Sequence, residues 1–60
     1  MRLQYMRDPR DPSVWIVRAR YRQQTGYGVH AVRRLASWAA VQSVLWPDVA
    51  VLGAVWGVGA

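Results

Sequence analysis

The fold prediction rests on residues 33–60, RRLASWAAVQSVLWPDVAVLGAVWGVGA. After its opening Arg pair this stretch contains one charged residue, Asp48, and nearly all other charged residues precede it. Before it, residues 7–12 repeat the triplet Arg-Asp-Pro, and each Pro keeps the preceding residue out of the helical region. We therefore predict an extended arm at 1–12, followed by a single small unit at 13–60. That unit comprises a basic segment (13–34) and an apolar helical tail (35–60).

Two consecutive helices are predicted for the C-terminal half. Residues 29–46 contain four alanines, which favour a helix, and no Gly or Pro interrupts them. Pro47 must end or kink this helix, because its ring clashes with the preceding turn. Proline is also accepted as the first residue of a helix, and an Asp beside it complements the helix dipole. We therefore expect a second, apolar helix at 48–57, or else one long kinked helix.

One short strand is predicted in the N-terminal half. Residues 13–22, SVWIVRARYR, alternate between apolar and basic positions, which is the period of a half-buried strand. The segment at 23–28 contains two glycines and predicts a turn. A second strand from Tyr27 to about Val32 would close a hairpin, but we expect a helix to begin near Gly28. The fold class predicted from these elements is mainly α.

The length and composition indicate that the chain needs a partner or a membrane, with a very economical fold as the alternative. A chain of 60 residues buries only about 60% of its unfolded surface and usually needs a disulfide, a metal or an assembly to be stable. There is no Cys, and one His with three Asp gives no metal-binding pattern. No nucleophile or cofactor motif is present. We therefore expect a non-enzymatic protein without cofactor or small-molecule substrate, held in a larger protein complex.

Arginine supplies the whole positive charge. The net charge is +5, with eight Arg and no Lys. The planar guanidinium group suits phosphate, carboxylate and aromatic faces, so lipid head groups, nucleic acid and acidic proteins are all candidate partners. The predicted strand places three guanidinium groups on one face, about 7 Å apart. The candidate contact residues are Arg18, Arg20, Arg22, Arg33 and Arg34.

The apolar tail has features of a membrane segment. It is longer than the ~20 residues that cross a bilayer. Two of its Trp, at 38 and 56, would lie about 27 Å apart along a helix, like two interfacial belts. The positive-inside rule then predicts a cytoplasmic N-terminal half. Asp48 at mid-bilayer costs roughly 2.5–3.5 kcal/mol, which offsets the gain from the apolar residues. The candidate packing residues are Trp38, Trp46, Asp48, Gly53, Trp56 and Gly57.

Two functions remain open from the sequence. The first is a small accessory or structural subunit that associates with a membrane and a larger complex through residues 35–58. The second is a soluble structural or interaction subunit of a large assembly, such as a nucleoprotein particle or virion. In that role the arginine face would contact nucleic acid or an acidic partner, and the tail would be buried between subunits.

Overall fold

The computed structural model describes residues 1–49 and 54–55. A single helix packs against one face of an antiparallel sheet. The elements in chain order are β1 (Arg2–Arg7), β2 (Trp15–Tyr21), β3 (Gln24–His30), α1 (Arg33–Leu45) and β4 (Ala54–Val55).

The sheet has the order β1-β2-β3-β4, so sequential strands are neighbours and every pairing is antiparallel. Strand β2 lies between β1 and β3 and pairs along its full length with β3, from Trp15 opposite His30 to Tyr21 opposite Gln24. Strand β4 adds a short pairing at the other side of β3. Strands β1 to β3 therefore form a meander, and α1 lies in the longer connection from β3 to β4.

A two-residue turn joins β2 to β3. Arg22 and Gln23 form it, because Tyr21 pairs with Gln24. Arg22 has a φ of 58°, the left-handed region that type II′ hairpin turns require at their first central position. The residue that normally occupies this position is Gly, so Arg22 holds a conformation that its side chain disfavours.

The core between helix and sheet is built from small side chains. Val17 and Ala19 of β2 meet the buried face of α1, whose buried members are Ala36, Ala39, Ala40, Ser43 and Val44. Val17 is the largest side chain that is fully buried among the described residues. Small residues allow two backbones to lie close together, and the contact between α1 and β3 is correspondingly tight.

Gly28 shows how close that contact is. A Cβ on Gly28 would collide with the carbonyl oxygen of Ala36 and would lie 2.6 Å from the amide nitrogen of Ala40. Glycine inside a strand commonly marks such an approach of another backbone. The glycines of β3 are therefore packing residues, and the turn lies before them.

The prediction of a mainly α fold is wrong. The chain is a small antiparallel sheet with one helix, and more of its described residues are in strands than in the helix. The strand predicted at 13–22 is present as β2. Residues 2–7 of the predicted arm form β1, because their alternating side chains pair in register with β2.

The two predicted helices also need correction. The helix predicted at 29–46 begins only at Arg33, because Val29 and His30 pair with β2 as the end of β3. It ends at Leu45, before the proline, as expected. No helix occupies 48–57 as a whole: residues 47–49 form a turn and bend, and Ala54–Val55 form β4, which pairs with Tyr27 and Gly28. Within the described residues no helix has the length and apolarity needed to cross a membrane.

Candidate nucleic-acid interface

The sheet has one face that the helix does not cover. Val17 and Ala19 point towards α1 and are fully buried. Side chains alternate along a strand, so Ile16, Arg18 and Arg20 point to the opposite face, which we call the open face. Arg18 is half-buried there and Arg20 is exposed.

The strand register brings further polar residues onto the open face. Arg2 of β1 lies directly opposite Arg20, and Gln4 lies opposite Arg18. Residues directly opposite in an antiparallel pair share a face, with Cβ atoms about 4.5–5.5 Å apart. These four side chains together line a small surface cleft. The sheet therefore gathers three guanidinium groups and one amide into a single cluster, which we call the arginine cluster.

Strand β3 completes the open face with uncharged side chains. Thr25 lies opposite Arg20, and Tyr27 lies opposite Arg18. Tyr27 is half-buried, so its ring lies beside the arginine cluster with part of its surface accessible. At the other end of the same face Ile16 pairs with Val29 and with Met6. The open face thus has a cationic end and an apolar end.

No carboxylate shares the open face among the described residues. Asp8 and Asp11 lie in the loop between β1 and β2, where each is bound locally. Asp8 Oδ1 accepts a hydrogen bond of 2.8 Å from the Arg10 amide. Asp11 Oδ1 accepts from the Ser13 hydroxyl at 2.7 Å and the Ser13 amide at 3.1 Å, and these bonds lower the pKa of Asp11 below its ordinary value of 3.8.

Two other arginines are engaged on the helix side of the sheet. The Arg7 guanidinium lies 4.1 Å from the ring centroid of Trp15 and donates a 2.8 Å hydrogen bond to the Pro12 carbonyl. The Arg33 guanidinium lies 5.6 Å from the Trp15 ring and 5.7 Å from the Tyr5 ring. Cation–π contacts of this kind contribute about 0.5–1 kcal/mol at exposed sites. These two arginines fasten β1, β2 and the start of α1 together.

The structure separates the arginines that the sequence grouped. Arg18 and Arg20 lie together on the open face, and Arg22 lies in the β2–β3 turn. Arg33 and Arg34 begin α1, on the covered side of the sheet. Arg2, Gln4 and Tyr27 were missed as site residues. The alternation of polar and apolar residues at 2–5 is a usable signal for β1, but only the register shows that Arg2 meets Arg20.

The predicted packing residues fall into two groups. Trp38 lies on the outer side of α1, Trp46 follows the helix, and Asp48 is exposed in the turn beyond it. Gly53, Trp56 and Gly57 lie outside the described residues. His30 ends β3, and its Nδ1 accepts a 3.0 Å hydrogen bond from the Val32 amide just before the helix.

No protein family, curated protein or solved structure matches this chain. The chemistry of the open face is therefore the guide to function.

Proposed function

We propose that the chain is a nucleic-acid-binding interaction protein that contacts the phosphate backbone through the open face of its sheet. The observation that supports the proposal is the arginine cluster: Arg2, Arg18 and Arg20 converge on one face without a carboxylate among them. If the arginines were scattered over the surface, the chain would present only diffuse positive charge to a phosphate backbone.

The arrangement of the cluster is unfavourable unless an anion is bound. Like charges directly opposite one another on neighbouring strands are destabilising, and Arg2 lies opposite Arg20 in this way. A bound phosphate converts that repulsion into attraction, because each guanidinium can donate two parallel hydrogen bonds to it. Binding energy would therefore include relief of the repulsion within the free protein.

The spacing of the cluster suits a series of phosphates. Arg18 and Arg20 are two residues apart on one strand, about 7 Å. A sheet surface can enter a groove of duplex nucleic acid, and strands serve this purpose in several known classes of binding protein. Tyr27 beside the cluster adds an aromatic ring of the kind that stacks on an unpaired base.

We prefer this role to that of a membrane-associated accessory subunit. Of the candidate contact residues, Arg33 and Arg34 lie next to the apolar tail and would be the nearest to lipid head groups. Arg33 instead lies against the rings of Tyr5 and Trp15, and the cationic surface that the fold does assemble is on the sheet. We still expect the protein to act within a larger assembly, and a nucleoprotein particle is one such setting.

The proposal is tested by the salt dependence of binding to a labelled duplex and a labelled single strand, measured by fluorescence anisotropy. Three phosphate contacts predict a slope of about −2.7 for log K against log[salt] with duplex DNA. Replacing Arg18 and Arg20 with Gln should make the slope shallower by about 2. The matched control, R10Q/R34Q, removes the same charge outside the open face and should leave the slope nearly unchanged.

Equal losses in the two double variants would mean that only net charge matters, and would refute an interface on the open face. Absence of binding by the unmodified chain at low salt would refute the function itself. Circular dichroism of each variant shows whether the fold is retained before binding is compared.

A further inference from the structure

The outer surface of α1 bears a regular stripe of five residues. Arg34, Trp38, Val41, Leu45 and Asp48 follow one another at intervals of four, three, four and three. For the first four this is the spacing of the contact seam between packed helices. The first four lie on α1 and Asp48 lies in the turn directly after it. We call this surface the outer stripe.

The outer stripe is apolar and accessible at its centre. Trp38 is 52% exposed and Leu45 is 45% exposed. Beside them Leu35 and Trp46 are similarly accessible. The buried face of α1, in contrast, contains only alanines, a serine and a valine. The helix thus directs its small residues to its own sheet and its large apolar residues outwards, which is typical of a surface that a second protein covers.

We infer that a second copy of this chain covers the outer stripe, with the two α1 helices antiparallel about a two-fold axis near Val41. The sequence of the stripe is self-complementary in that direction. Val41 meets its own copy, and Trp38 packs against Leu45 of the partner subunit. Arg34 then meets Asp48 of the partner subunit, and the same pair is repeated on the other side of the axis.

The charges select the antiparallel direction. In a parallel pairing Arg34 would face its own copy, and Asp48 would do the same, so both ends of the stripe would repel. In the antiparallel pairing each end joins opposite charges. A closed two-fold dimer also requires that the same patch serve on both subunits, and a stripe with opposite charges at its two ends and apolar residues between them meets that requirement.

The size of the helix limits the strength of the dimer. Helix α1 has 13 residues, about 20 Å of length. An interface of this length is smaller than the roughly 800 Å² per partner that stable complexes bury. We therefore expect a dissociation constant on the order of micromolar.

The dimer does not depend on the proposed nucleic-acid contact. The outer stripe lies on the far side of α1 from the sheet, so the two open faces of the dimer would point away from each other. Association can be measured without nucleic acid, and each proposal can fail while the other stands.

Sedimentation velocity of the intact chain over a range of concentrations tests the inference. We expect the average mass to rise from that of a 6.8 kDa monomer towards twice that value. R34D and D48R should each weaken association at least about tenfold, because each places like charges together twice. The double variant R34D/D48R restores both pairs in reversed order and should return the dissociation constant to within about threefold of the original. The control R10D makes the same charge change outside the stripe and should have little effect.

A chain that remains monomeric at every concentration would overturn the inference. So would a dimer whose strength is unaffected by either single reversal, or one that the double reversal does not restore. Trp38→Glu provides a second test at the centre of the stripe: it should abolish association while leaving the circular dichroism spectrum of the monomer unchanged. Persistence of the dimer in that variant would place the interface elsewhere.

Discussion

Gly28 lies directly against the backbone of Ala36, so closely that a Cβ on Gly28 would collide with the Ala36 carbonyl oxygen. This contact sets the distance between helix and sheet. It is possible because α1 presents alanines to β3 and β3 presents glycines to α1. Because the helix and the sheet lie so close together, the large apolar side chains of the helix do not fit between them.

Replacing Gly28 with Ala should therefore be severely destabilising. The obstructing atoms belong to the helix backbone, which can move only if the whole helix moves away from the sheet. Overpacking of this kind costs typically 1–3 kcal/mol and sometimes more, which is a large part of the stability of a domain of this size. Urea unfolding followed by circular dichroism measures the loss.

Gly26→Ala is the matched control for that substitution. The atoms nearest to its new Cβ belong to the side chains of Ser43 and Val44, which can change rotamer. We expect Gly26→Ala to be destabilising by less than Gly28→Ala. The reverse order would show that helix and sheet are not packed at the distance described.

Arg22→Gly should stabilise the hairpin relative to Arg22→Ala. Both substitutions remove the same charge, but only glycine adopts the φ of 58° without a Cβ penalty. The expected difference is about 1 kcal/mol in the free energy of unfolding, from the cost of the left-handed region for other residues. Equal stability of the two variants would indicate that the turn does not use this conformation.

The carboxyl group of Asp11 should titrate below its ordinary value of 3.8, because the Ser13 hydroxyl and amide bind its charged form. The stabilisation is present above the pKa of the unfolded chain and is lost as the pH falls through the lower pKa of the folded chain. Replacing Ser13 with Ala should raise the pKa of Asp11, as followed by carbon NMR of the side chain. Ser37→Ala, whose hydroxyl bonds the Arg33 carbonyl instead, should not change it.

The sequence predicted those elements whose signals are local. Strand β2 shows clean alternation, and Pro47 marks the end of α1 within two residues. Strand β3 gave no comparable signal, because two of its inward positions are Gly26 and Gly28. Glycine is typical of turns, so the sequence predicts a turn over most of β3. It also predicts that the helix begins near Gly28, where β3 in fact continues to His30.

Only part of the arginine cluster is predictable from the sequence, because one of its arginines comes from a different strand. Arg18 and Arg20 share a face by strand alternation alone, which the sequence shows directly. Arg2 joins them because β1 pairs with β2 across a loop at 8–14, and its register is a long-range property. The triplets Arg-Asp-Pro favoured an arm over a strand, although the prolines lie only in the loop after β1.

The apolar tail shows how one composition can fit two environments. Trp38 and Leu45 are exposed on the outer side of α1, and an apolar surface of this kind suits a lipid bilayer or a second helix equally. The pairing of Ala54 with Gly28 places this part of the tail at the edge of the sheet, where the sequence predicts a second helix. That pairing joins residues far apart in the sequence, so no local sequence pattern predicts it.

The central claim, that the open face binds nucleic acid, is tested most directly by NMR. Amide and arginine side-chain resonances are recorded while a short duplex is added at low salt. The account predicts the largest shifts at Arg2, Arg18, Arg20 and Tyr27, with small changes along the outer side of α1. Shifts concentrated at Arg33 and Arg34 with none on the sheet would contradict it.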